Sequence, residues 1–179
     1  LRLPLRPGPR RFFVGVSGGG VSNFAALTAP AAIVEAGWRF AGSGVPVVED
    51  SSVGVEVAPL YRGLDQPTVA GDAHADLVVV SVGPVLRTHI GIFEGLSAYI
   101  SAAGHVAVVD SVVAVAGVRR EERFLAPGGA VALGGAYRLG PGTVHVETRA
   151  FGILNGDEGS IDGSLWGLGV FGGYRAELF

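Results

Sequence analysis

The stretch Leu165–Phe179, LWGLGVFGGYRAELF, carries its information in alternate positions. Trp166, Leu168, Val170, Gly172, Tyr174, Ala176 and Leu178 form one set, with an aromatic near each end; Gly167, Gly169, Phe171, Gly173, Arg175 and Glu177 form the other. Successive side chains of an extended strand point to opposite faces, so this segment is a strand with one apolar face and one face of small and charged residues. The same grammar recurs upstream. In Ala32–Phe40 the set Ala32, Val34, Ala36, Trp38, Phe40 opposes Glu35 and Arg39; in Val53–Arg62 a valine set ending in Tyr61 opposes Glu56 and Arg62. Val131, Leu133, Gly135 and Tyr137 oppose Arg138, and Val144, Val146, Thr148 and Ala150 oppose His145, Glu147 and Arg149. Period-two alternation between Gly, Pro, Asp, Asn and Ser punctuation predicts an all-β chain. Eight strands are expected, near 11–20, 29–42, 52–63, 76–87, 94–108, 126–139, 143–154 and 164–179, with ten as the other count the length permits.

Composition says which way the faces point. The chain has 179 residues, 49% hydrophobic and only 16% charged, with a mean hydropathy of +0.46. Soluble domains carry about 25% charge, so there is too little here to coat a water-facing surface. The longest apolar runs, Leu77–Leu86 and Val106–Val118, fall short of the roughly 20 residues of a membrane-spanning helix. Both facts are met if the alternation is inverted. Apolar side chains then face lipid, aromatics sit at the interfaces, and the small and charged face lines a closed lumen that leaves no strand edge unpaired. The fold expected is a closed antiparallel up-and-down transmembrane β-barrel over residues 11–179, preceded by a proline-rich lead-in at 1–10. Connections of mostly polar or Gly-rich composition at 63–76, 111–128 and 152–164 are expected as loops on one side. A soluble ligand-binding barrel with an apolar core is the structural alternative.

The strand-by-strand alternation, the short LGPG turn (139–142) feeding VHVETRA, and the terminal strand ending in Phe179 together resemble the small bacterial outer-membrane β-barrels of the OmpA transmembrane-domain, OmpX and OmpW type. The resemblance covers nearly the whole chain. It implies residence in the outer membrane of a Gram-negative bacterium after removal of a signal segment, with both termini in the periplasm and long loops outside. It also implies contact with the lipid bilayer, with lipopolysaccharide and with the barrel insertion machinery, which reads a terminal signal of Tyr174, Leu178 and Phe179. One departure stands: Tyr174 and Leu178 share the lipid-facing phase, whereas Phe179 falls one residue out of it.

Other motifs carry less. All thirteen cations are arginines spread along the chain and the net charge is -3, which excludes a basic nucleic-acid face. There is no cysteine. Gly15-Val16-Ser17-Gly18-Gly19 matches a nucleophile elbow but no helix follows, and Gly167–Gly172 matches a dinucleotide fingerprint with no room for a crossover helix. His74, His89, His105 and His145 lack metal-ligand spacing, so neither metal nor cofactor is expected. The loop acids Asp65, Asp72, Asp76, Glu121, Glu122, Asp157, Glu158 and Asp162 read as solvated charge.

The chemistry concentrates on the inward face: Glu35, Arg39, Glu56, Arg62, Arg87, Arg138, His145, Glu147, Arg149, Arg175 and Glu177. Charge is costly toward lipid, and an eight-stranded barrel is just wide enough for its side chains to fill, so these groups should pair across the lumen. Arg39 with Glu56 is the pairing the shared phase suggests. Interface aromatics are Trp38, Phe40, Tyr61, Tyr137, Trp166 and Tyr174. The function expected is a non-enzymatic envelope component, structural or adhesive, acting through its external loops or with other envelope proteins. Two other classes stand beside it: a narrow OmpW-like channel for small or hydrophobic solutes, and a lipid-modifying enzyme, which requires His145 or His105 near a serine.

Overall fold

The computed structural model describes residues 11–23, 28–41, 48–68, 71–154 and 165–178. They form eight antiparallel strands: β1 (Arg11–Ser22), β2 (Thr28–Ala41), β3 (Val48–Thr68), β4 (Gly71–Phe93), β5 (Leu96–Val115), β6 (Val118–Leu139), β7 (Gly142–Ile153) and β8 (Leu165–Leu178). Each strand pairs with the next, and β1 closes on β8, from Phe12 opposite Leu178 to Ser22 opposite Leu168. The result is the expected eight-stranded up-and-down barrel. Arg11 and Leu178 lie at what we call its terminal end, with the β4–β5 and β6–β7 turns; the β3–β4 and β5–β6 hairpins lie at its far end.

Turn chemistry follows from the backbone. Ala116 and Gly117 both have positive φ (50° and 83°), the mirror-image two-residue turn whose twist suits a hairpin, while Gly140 (φ 60°) precedes Pro141 in the β6–β7 turn.

The outer surface is apolar. Trp38 is 57% exposed, Val170 59% and Leu133 65%, values that make sense only against hydrocarbon. Trp38, Phe40, Phe93 and Tyr137 are exposed toward the terminal end, where Phe12 meets Trp38 edge-on at 5.3 Å between centroids, and Tyr61 and Trp166 are exposed toward the far end.

The far end corrects the sequence reading. The stretches 63–76 and 111–128, expected as loops, are mostly strand: β3 runs seven residues beyond Tyr61, and β5 and β6 stay paired to Val115–Val118. At about 3.3 Å per residue this carries a four-stranded wall, β3-β4-β5-β6, on the order of 20 Å past Tyr61. Polar composition was the misleading signal. A ladder needs only backbone pairing and a compatible turn, and the outer face here mixes charged and apolar side chains, with Asp110 opposite Arg123 and Val112 opposite Glu121. The lead-in 1–10, the 152–164 connection beyond Leu154 with Asp157, Glu158 and Asp162, and Phe179 of the terminal signal lie outside the described residues.

Candidate functional site in the barrel lumen

Six of the inward residues meet in one chain of contacts across the middle of the lumen. Glu35 on β2 accepts from Arg87 Nη1 (β4) at 3.0 Å and from Arg175 Nε (β8). Arg175 Nη2 lies 3.8 Å from Glu147 on β7. Glu147 in turn accepts from Tyr99 OH at 2.8 Å and from Arg149 Nε at 3.0 Å. Arg149 makes a two-pronged pair with Glu56 on β3, at 2.5 and 3.0 Å, and His105 Nε2 lies 2.7 Å from the same carboxylate. All six charged members are buried, Glu56 completely. Three carboxylates against three guanidiniums balance, and the Arg149 fork matches the Glu56 carboxylate in geometry, which helps such charges stay in a water-poor interior.

Glycines on β1 and β6 make the room. A Cβ on Gly15 would sit 2.9 Å from both Glu35 and Arg175, and one on Gly134 would sit 2.4 Å from the Tyr99 ring. Two guanidiniums lie over Tyr99, with the Arg87 and Arg175 carbons 5.2 and 5.1 Å from its ring centre, an arrangement that adds cation–π attraction.

The remaining inward residues sit elsewhere. Arg39 pairs with Glu177 and, at 3.5 Å, with Asp50, so the Arg39–Glu56 pairing expected from shared phase is not made. Phase places residues on one face but not at one height: Glu56 is opposite Glu35, while Arg39 is opposite Ser52, nearer the terminal end. Arg11 reaches Glu177 at 2.6 Å, and Arg138 lies 4.0 Å away, mostly exposed. Arg39, Asp50 and Arg138 border a polar vestibule of about 510 Å³ at the terminal mouth, shared with His89 and Glu94. Arg62, toward the far end, donates from Nη1 to the Thr28 carbonyl at 2.6 Å.

His145 is not in the ion-pair chain. Its Nε2 lies 2.8 Å from Ser17 Oγ, the serine of the Gly15–Gly19 motif, which sequence spacing alone did not connect to it. Both are buried, and His145 Nδ1 has no hydrogen-bond partner among the described residues. A serine nucleophile needs its histidine held by a third group on that nitrogen and a path for substrate; Glu147, the nearest carboxylate in sequence, has its oxygens taken by Tyr99, Arg149 and Arg175.

Above the ion pairs the lumen changes character. Val21, Ala29, Ile33 and Phe171 form one buried apolar cluster, and Val79, Ala107, Val109, Ala126 and Ile153 another. Between them lies an apolar cavity of about 60 Å³. The signal is present in the sequence, since inward-phase Ile33, Leu60, Val79 and Phe171 all lie toward the far end of their strands, where the expected small and charged face gives way to an apolar one.

No family model and no curated protein matches this chain. Among solved structures it is similar to Neisserial surface protein A, with a TM-score of 0.64 over 97% of this chain and 99% of that one at 11% identity. It is also similar to the outer membrane enzyme PagL, with a TM-score of 0.54 over 92% of this chain and 98% of that one at 14% identity. The chain has the fold of the small eight-stranded outer-membrane β-barrels.

Proposed function

We propose that this protein is a closed, non-conducting barrel of a Gram-negative outer membrane that serves the envelope as a structural and interaction component. The observation that supports it best is the neutral ion-pair chain from Arg87 through Glu35, Arg175, Glu147 and Arg149 to Glu56, which engages five of the eight strands and occupies the lumen with buried side chains. With the termini in the periplasm, the β3–β6 wall projects outside the cell, and this wall is the contact surface. Its outer face mixes Asp65, His74, Asp76, Asp110, Arg119, Glu121 and Arg123, a set suited to polar partners and to the phosphates and sugars of lipopolysaccharide. Among the described residues the β6–β7 ladder begins only at Gly128, and the β6 edge before it carries Arg119, Arg120 and Arg123, the charged pattern that discourages strand-to-strand aggregation.

Planar-bilayer recording tests the closed lumen. The purified barrel should give no stable current, whereas a reproducible ohmic conductance, or uptake of small solutes by loaded vesicles, would overturn it in favour of the channel reading.

An envelope enzyme is the second reading, favoured by the Ser17–His145 contact and by the fold shared with PagL. Incubation with a serine-reactive fluorophosphonate decides it. We expect no labelling; labelling abolished by Ser17→Ala would make the protein an enzyme.

A further inference from the structure

Among the described residues, the β2–β3 ladder beside the apolar cavity is interrupted and ends early. Pairing of β2 with β3 runs to Val34–Val57, skips Ala32–Pro59 and Ile33–Ala58, resumes at Ala31–Leu60 and stops there, although β2 continues to Thr28 and β3 to Thr68. Two prolines account for this. In this register Pro59 faces Ala32 and Pro30 faces Tyr61, so the two N–H groups that would bond to the Ala32 and Tyr61 carbonyls do not exist. The next carbonyl along, that of Thr28, is held by the Arg62 side chain at 2.6 Å instead of by a ladder partner. The neighbouring β1–β2 seam, by contrast, pairs at every residue from Arg11 to Ser22. Pro84 makes a single break between β4 and β5, but there a Cβ on Gly83 would meet the Gly104 carbonyl at 1.8 Å, so the two backbones are closely apposed.

The cavity lies directly against the weak seam. Ala31, Ala32, Ile33, Ala58, Pro59 and Leu60 line one side of it, with Phe171 and Ile153 among the residues of the other walls. Pro59 is two residues from Tyr61, which places the seam in the hydrocarbon of the leaflet next to the external boundary. The floor reaches His105 and Arg149, where Glu56 and Glu147 engage His105 Nε2 and Arg149 Nε, Nη1 and Nη2, so the guanidinium is already balanced by carboxylates and the rest of the lining is mostly apolar. We propose that the β2–β3 seam is a lateral entrance, latched by Arg62, through which the cavity takes the end of a single neutral alkyl chain from the outer leaflet. A cavity of about 60 Å³ holds only the last few carbons of a chain, so the site grips a chain end and leads nowhere beyond the ion pairs.

The chain has no cysteine, so one can be placed at will. Ala58→Cys puts a thiol on the cavity wall, and Val57→Cys puts one beside it on the lipid-facing side. Each variant, reconstituted in phosphatidylcholine vesicles, is treated with N-dodecylmaleimide dissolved in the bilayer or with a sulfonated maleimide confined to water. The bilayer reagent should modify Ala58→Cys at least tenfold faster than the aqueous one. Pro30→Ala with Pro59→Ala, which restores two donors to the seam, should slow bilayer labelling of Ala58→Cys about fivefold or more, and Arg62→Ala should speed it, both leaving Val57→Cys unchanged. A heat-dependent gel shift verifies that each variant is folded. Faster labelling from water would show entry through a mouth and overturn the lateral route. Equal rates with the seam mended and unmended would overturn the role of the prolines.

Discussion

The lumen has two halves built from the same inward phase of the same strands, and they solve burial in opposite ways. Across the middle three carboxylates and three arginines pair with one another, with Arg87 Nε and Arg175 Nη1 left without a partner among the described residues; toward the far end Val21, Ile33, Val79 and Phe171 pack as an ordinary apolar core with a void beside it. An ion-paired interior tolerates almost no single change, because each removal strands a charge. An apolar interior loses only the contacts of the group removed, and it can hold a gap. The difference teaches that phase alone does not define a lumen. Height along the strand decides whether an inward residue belongs to a plug or to a pocket.

The largest effect should come from breaking the plug. Arg149→Ala leaves Glu56 with only His105 and removes a partner from Glu147, so it should destabilise the barrel by about 3–5 kcal/mol. Urea unfolding in lipid vesicles, followed by tryptophan emission, measures it. Phe171→Ala in the upper half should cost about 3 kcal/mol, the low end for a buried phenylalanine, since it already borders a cavity. If Arg149→Ala cost less than Phe171→Ala, the contrast between halves would fail. Replacing Arg149 and Glu56 together with leucines should recover most of the first loss, because no charge is then left alone.

Adjacent glycines sharpen the contrast between inside and outside. Gly134→Ala drives a methyl into the Tyr99 ring and should cost about 1–3 kcal/mol, whereas at Gly135, on the lipid side, a Cβ meets nothing within 4 Å and the change should stay within about 0.5 kcal/mol. The same unfolding assay separates them.

Much of this was legible in the sequence. The alternation in Leu165–Phe179 and Ala32–Phe40, with charge far too scarce for a soluble surface, is enough to reach a barrel of eight strands with its apolar face outward. The inward phase of Glu35, Glu56, Glu147 and the arginines was legible too. Their partners were not, since those depend on strand stagger, which places Glu56 opposite Glu35 and leaves Arg39 below it. Ser17 meeting His145 is likewise set by β7 and β1 both flanking β8, where Gly173 pairs with both residues. The projecting wall was hidden by its own polarity, and the weak seam needed the register before Pro30 and Pro59 could be seen to face the same gap.

The smallest effect concerns that wall, where electrostatics is diluted by water. His74 is held by Asp65 at 2.5 Å through Nδ1 and by Asp76 at 2.8 Å through Nε2, while Tyr61 OH donates to Asp76 at 2.9 Å. The hydrogen bonds and charge of the two carboxylates raise the His74 pKa above its ordinary 6.5, and the His74 and Tyr61 hydrogen bonds lower that of Asp76 below 3.8. A raised imidazole contributes stability that is complete below its unfolded value and is lost as pH climbs through the folded one. A lowered carboxylate contributes above its unfolded value and loses that as pH falls through the folded one. The β3–β4 hairpin should therefore be tightest from about pH 5 to 6.5 and loosen on both sides. Amide hydrogen exchange across Asp65–Asp76, corrected for intrinsic rates, reads this directly, and His74→Asn should flatten the neutral-to-alkaline limb while leaving exchange in the ion-paired lumen untouched. A pH response of equal size among the lumen strands would mean that the plug opens to water, and the two halves would then be less distinct than their contacts imply.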